Sequence, residues 1–235
     1  MAALTKIPYL TVVFRNELKS YEIPAFRGAV ISKVPPELTL FHNHVGSGFR
    51  FSYPLIQYKT IGGKAAIVCL GEGTRDIESF FTSSDFHLFI GDREDDFTVE
   101  NVWANQWILQ PWTDSFRYSI RHWLPLNSEN YQSYLSMEGV VERTQFLESI
   151  LVGNFLSMSK GLGVFFEKPV TCKIVSMDRS YCQKYKGVAL QAFDLQFITN
   201  VFVPDYVGLG KGVSAGFGTI KKMKSSKEQR YDGNE

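Results

Sequence analysis

Between Tyr9 and Leu109 the hydrophobic pattern changes period in a fixed order, and that order limits the folds open to the chain. Residues 9–15 (YLTVVFR) are rich in β-branched and aromatic side chains and predict a first strand. Pro24 opens a helix that runs to about Lys33, where Pro35 and Pro36 stop it. Residues 38–41 read as extended. Residues 49–59 alternate at first, with Phe49, Phe51 and Tyr53 on one side, and Pro54 confines this strand to an edge or a bulge. Gly62-Gly63 turns the chain into a strand over residues 64–70. Residues 74–82 predict a helix with Thr74 as N-cap and Ile77, Phe80 and Phe81 inward. Residues 86–90 and 99–109 are strands separated by the acidic turn GDREDD. Strand, helix, two strands, helix, strand is the ferredoxin-like βαββαβ order, an α+β sandwich with helices on one face of an antiparallel sheet.

The second half is less regular. Residues 115–124 alternate Phe116, Tyr118 and Ile120 against Arg117, Ser119 and Arg121, which suits a half-buried strand. Residues 128–160 carry the longest helical signal, with Val140, Thr144, Leu147, Leu151, Phe155 and Met158 at spacings of three and four. Residues 170–177 and 188–203 are strands, and the tail from residue 223 is polar. The expected organisation is a ferredoxin-like domain over 1–110, a second over 111–222 with altered details, and a disordered tail over 223–235.

Composition excludes several classes. An apolar fraction of 44% supports a packed core. Three cysteines without a CxxC argue against a disulfide framework and a zinc knuckle. No apolar run reaches a signal peptide or a membrane span, so a soluble cytoplasmic protein is the plain expectation. Residues 1–108 hold ten Lys/Arg against twelve Asp/Glu; residues 109–235 hold fifteen against twelve. The excess gathers after Gly210, at Lys211, Lys221, Lys222, Lys224, Lys227 and Arg230, where a polyanion would first be met.

Residues 207–222 place Gly208, Gly210, Gly212, Gly216 and Gly218 among apolar Leu209, Val213 and Phe217. So much glycine costs folding entropy and makes sense where backbone approaches something closely. A P-loop needs Ser or Thr after its Lys, yet Lys211 precedes Gly212. A dinucleotide fold needs a strand–helix–strand unit, for which too little chain follows Ala215. A Gly-rich turn before an edge strand, or a phosphate clamp flanked by Lys211, Lys221 and Lys222, remain.

His42-Asn43-His44 is the second constellation. If extended, the two histidines share a face with α-carbons about 6.6 Å apart, a span that suits one phosphodiester. Metal binding would need further ligands that do not follow nearby, so no metal or cofactor is expected. RNA carries its own nucleophile, and imidazole can serve near neutrality as base toward the 2′-OH or acid toward the leaving 5′-oxygen. Arg50 and Lys59 flank the pair and are second-rank phosphate contacts. His87 and His122 fall inside apparent strands and read as structural.

The segments LFHNH, FRFSYPLIQYK, LVGNFLSMSKGLG and PDYVGLGKGVSAGFGTIKK, in this order, closely resemble one subfamily of CRISPR repeat-processing endoribonucleases in the RAMP superfamily. The resemblance implies two tandem ferredoxin-like domains and metal-independent cleavage of precursor repeat RNA to 2′,3′-cyclic phosphate and 5′-OH ends. It maps the catalytic pair onto His42 and His44, and the RNA-engaging Gly-rich loop onto residues 208–218. Some RAMP proteins bind RNA without cutting it, so a non-catalytic subunit of a CRISPR effector complex is the alternative. A homodimer and an effector complex are the assemblies left open. A nucleotide-binding protein using the Gly-rich loop is the third reading.

Overall fold

The computed structural model describes residues 5–42, 44–45, 48–49, 53–83 and 85–223. The chain divides into two compact units, Met1–Leu109 with Ser157–Phe165 and Val213–Gly216, and Gln110–Leu156 with Phe166–Gly212 and Phe217–Glu235.

In the first unit β1 (Lys6–Glu17) leads to α1 (Ile23–Ser32), with Pro24 in its first turn. Next come α2 (Thr39–His42), β2 (His44–Val45) and β3 (Gly48–Phe49). The hairpin β4 (Ile56–Ile61) and β5 (Lys64–Leu70) is followed by α3 (Gly73–Ser83). A small hairpin, β6 (His87–Ile90) and β7 (Arg93–Asp96), precedes β8 (Val99–Ile108). The main sheet has the order β4-β5-β1-β8, every neighbour antiparallel. This is the ferredoxin-like arrangement expected from the sequence.

Alternation in β1 sends Val12 and Phe14 into a core with Phe26 and Val30 of α1 and Ile77 and Phe80 of α3. Phe26 is its centre, with ring centroids 5.9 Å from Phe14, 5.8 Å from Tyr58 and 5.4 Å from Phe97. The opposite sheet face is buried too, at Ile7, Thr11, Val13, Ala66, Val68, Gln57 and Lys59. That double burial is why β5 (KAAIVCL) is a continuous apolar run rather than an alternating one.

Residues 38–41 are not extended. Hydrogen bonds from Leu38 N–H to Pro35 O and from Phe41 N–H to Leu38 O tighten the chain after the two prolines, and Phe41 enters the core. Residues 49–59 are not one strand: β3 ends at Phe49, and β4 starts after Pro54 as the sheet edge. Thr74 lies inside α3, its hydroxyl donating to Gly71 O at 2.7 Å, rather than capping it. The acidic turn is itself the β6–β7 hairpin.

In the second unit β9 (Pro111–Trp123) is followed by α4 (Ser128–Ser136), which Asn127 caps by accepting from Asn130 N–H at 2.7 Å. Then come α5 (Val140–Gly161), β10 (Cys172–Tyr185), β11 (Val188–Val201) and β12 (Thr219–Lys222). The expected single helical region is thus two helices, broken at Met137–Gly139. The sheet order β10-β11-β9-β12 repeats that of the first unit. Leu147, Leu151 and Phe155 of α5 are buried with Tyr118 and Phe197 of the sheet. Glu148 fastens α5 to β10, accepting from Ile174 N–H at 2.9 Å and from Lys173 Nζ at 2.8 Å. Between β11 and β12 there is no α-helix among the described residues, only a 3-10 turn at Val213–Ala215.

Candidate nucleic-acid interface

His42 closes α2 and His44 opens β2, which pairs with β3 through His44 opposite Phe49. The backbone at His42 is helical, so the extended geometry behind the shared-face expectation does not hold. The side chains of both histidines lie outside the described residues, as do Asn43 and Arg50 entirely. The segment is anchored at both ends. Phe41 is 1% exposed on one side; on the other Tyr53 is buried and accepts a hydrogen bond from Gln57 Nε2 at 2.9 Å. Burial pushes the Tyr53 phenol well above its usual range, so it is held neutral. Arg27 on α1, which no pattern in the sequence singles out, donates from Nη2 to Phe41 O at 3.5 Å. That puts a guanidinium one residue from His42.

Lys59 does not present its ammonium to solvent. It is 1% exposed and donates to Val213 O at 3.2 Å, and burial pulls its pKa down to about 7. Proximity in sequence is misleading here: β4 alternation turns Tyr58 into the helix-side core and Lys59 to the opposite, also buried, face.

The Gly-rich stretch is held by the protein's own backbone. Gly208 bridges to Thr219, Leu209 N–H donates to Gly218 O at 2.9 Å, and Ile220 N–H to Val207 O at 2.9 Å. Lys211 N–H donates to Leu124 O, Phe217 N–H to Gly212 O, and Gly218 N–H to His122 O. Gly210, Gly212, Gly216 and Gly218 all have positive φ. A Cβ at Gly218 would lie 1.8 Å from Leu209 O, and one at Gly210 2.8 Å from Trp123 Nε1, so the close approach that glycine permits is to the fold itself. Those N–H groups are engaged by the fold and not turned outward. Lys211 is exposed, and Lys221 and Lys222 are exposed on the edge strand β12. Lys222 also lies 5.7 Å from the Phe202 ring centroid.

The face of the second sheet opposite α5 carries Arg117, Ser119 and Arg121 of β9, with Lys221 paired to Ser119. Arg117 Nη2 donates to Gln196 Oε1 at 2.8 Å. His122 ends this row in a left-handed conformation, φ 50°, which costs a non-glycine residue about 1–3 kcal/mol. Its backbone N–H donates to Asp194 Oδ1 at 2.7 Å, and its Nδ1 lies 2.6 Å from Tyr181 Oη. Sequence alternation marks the arginines as outward, but the bend at His122 leaves no signal in it. His87 is a different case: both ring nitrogens meet carboxylates, of Asp96 and Glu94, which raise its pKa and clasp the β6–β7 hairpin.

Family comparison agrees with both halves of this architecture. Residues 5–107 match the Cas6b N-terminal domain and residues 110–223 the Cas6b C-terminal domain. The chain belongs to the Cas6b family. A crystal structure of Cas6b superposes with a TM-score of 0.85 at 28% identity, covering 93% of this chain and all of that one. A second, of a CRISPR RNA processing endoribonuclease Cas6b, gives 0.72 at 26% identity over the same shares. An uncharacterized protein of Methanocaldococcus jannaschii is 36% identical over 104 residues, 44% of this chain and 69% of that protein. No helix among the described residues is long and apolar enough to cross a membrane.

Proposed function

We propose that this Cas6b-family chain is a metal-independent endoribonuclease that cuts CRISPR precursor transcripts within their repeats. The observation that carries this reading is the match of both domain models across nearly the whole chain, joined to the close superposition on a Cas6b endoribonuclease. Residues 1–110 supply the chemistry and residues 111–222 most of the cationic RNA contacts. His42 and His44 divide the proton transfers: one takes the 2′-OH proton as the 2′-oxygen attacks phosphorus, and the other protonates the 5′-oxygen as the P–O5′ bond breaks. The products are a 2′,3′-cyclic phosphate and a 5′-OH. Arg27, bonded to the carbonyl that precedes His42, offsets charge on the phosphorane in this reading. Lys211, Lys221 and Lys222 hold the flanking phosphates.

The test is incubation of repeat RNA with the protein in EDTA, with end-group analysis of the products. Cleavage to cyclic phosphate and 5′-OH ends, abolished by a 2′-deoxy residue at the cut site, is the expected result. A shifted band without cleavage would instead identify a non-catalytic RNA-binding subunit.

A further inference from the structure

Two β-bulges meet at one buried carboxylate in the second unit. Between the pairs Phe193–Trp123 and Leu195–Ile120, β9 spends two residues, Arg121 and His122, where β11 spends one, Asp194. On the other side of β11, Asp178 of β10 is the extra residue. Bulges of this kind re-aim a side chain. Here the side chain re-aimed is His122.

Asp194 is 3% exposed, and its oxygens accept from His122 N–H at 2.7 Å, Tyr181 Oη at 3.3 Å and Arg121 Nη1 at 3.4 Å. Gly218 N–H donates to His122 O at 3.1 Å, so the strained residue is pinned through both its backbone groups. Tyr181 links the imidazole to the carboxylate. A proton chain from Nδ1–H to the Tyr181 oxygen, and from Tyr181 O–H to Asp194, uses every donor once. Burial and the Asp194 charge push the Tyr181 phenol up to about 12, so it stays a donor. The ring is exposed, and its Nε2 has no partner among the described residues. Arg179 lies 5.0 Å from the Tyr181 ring centroid, and Arg121 engages Asp178 at 3.8 Å.

A fold does not need a histidine here. Glycine would relieve the backbone, and the side chain adds one outward-facing nitrogen held in a fixed direction. We propose that His122, oriented by Tyr181 and Asp194, is a binding position for one ribose–phosphate unit of single-stranded RNA, apart from the histidine pair. Nε2 accepts from a ribose 2′-OH when neutral and donates to a phosphate oxygen when charged. The proposal rests on the RNA-binding reading above.

The experiment measures affinity for repeat RNA blocked by a 2′-deoxy residue at the cut site, alongside thermal unfolding. His122→Asn keeps a residue type that tolerates positive φ. It should bind about tenfold more weakly, the size of one strong hydrogen bond, with an unchanged unfolding midpoint. His122→Gly should lose the same affinity while unfolding at a higher temperature, because strain is released. Tyr181→Phe should lose a smaller part. A salt slope lower by about 0.7 would assign the contact to phosphate, and an unchanged slope to the 2′-OH. If the wild type binds and both His122 variants bind equally well, the proposal is overturned, and a lowered midpoint in His122→Gly would mark a structural corner instead. A wild type that binds no repeat RNA would overturn the RNA reading along with it.

Discussion

The two sheets share one strand order but return the chain to the last strand by different means. In the first unit α3 and the β6–β7 hairpin make the crossover, and Ile77 and Phe80 lay an apolar face on the core. Between β11 and β12, residues 202–218 cross without an α-helix. A helix satisfies its own backbone and asks of its surroundings only an apolar surface. An irregular crossover must find a partner for each N–H and C=O singly, and the hydrogen bonds of Leu209, Lys211, Phe217 and Gly218 are that accounting made explicit. Glycine density therefore marks a tightly determined backbone, not a loose one, and a determined backbone presents Lys211 in a fixed place.

The comparison breaks most visibly at Gly218. Gly218→Ala sets a Cβ against Leu209 O at a position with φ 60°, and should cost about 4 kcal/mol or more, read as a collapse of the unfolding midpoint. Gly28→Ala in α1 meets nothing within 4 Å and should stabilise by about 0.5–1 kcal/mol. Equal effects at the two glycines would erase the difference between a determined crossover and an ordinary helix surface.

Next in size is RNA binding. Replacing Lys211, or Lys221 with Lys222, by Ala should weaken repeat-RNA binding and lower the log–log salt slope by about 0.7 for each phosphate that is no longer neutralised. Unchanged affinity and slope would reduce these lysines to solubilising charges on an edge strand.

The smallest effect concerns Lys59, which fastens Val213 to β4. Its folded pKa of about 7 lies below the unfolded value near 10.4, so between these the unfolded chain binds a proton the folded one has released. Its contribution to stability should therefore rise with pH above 7. Lys59→Met should be more stable at pH 7 and lose that rise between pH 7 and 8, below the range where cysteines and tyrosines titrate. A slope unaltered by the substitution would contradict the burial assigned to it.

Much of the first unit is legible in the sequence because its elements are periodic: the Gly62-Gly63 hairpin and the inward Ile77 and Phe80 follow from local pattern alone. The extended expectation fails at residues 38–41 because two prolines and the pull of Phe41 into the core outweigh strand propensity. The expectation of an exposed cation fails at Lys59 because flanking in sequence does not mean exposure, and its neighbours in β4 already form a buried run. His122 leaves no sequence signal because a bulge depends on pairing across three strands, which no single-strand pattern encodes. Arg27 is silent for a similar reason, lying fifteen residues before His42 and meeting its segment only through the fold.

If the histidine pair performs the proton transfers, the most direct measurement is single-turnover cleavage of repeat RNA in EDTA by His42→Ala, His44→Ala and the double variant. Each single variant should cleave about a hundredfold or more slowly while keeping most of its RNA affinity, and the wild-type pH–rate curve should be bell-shaped. Full activity in the double variant would contradict the account.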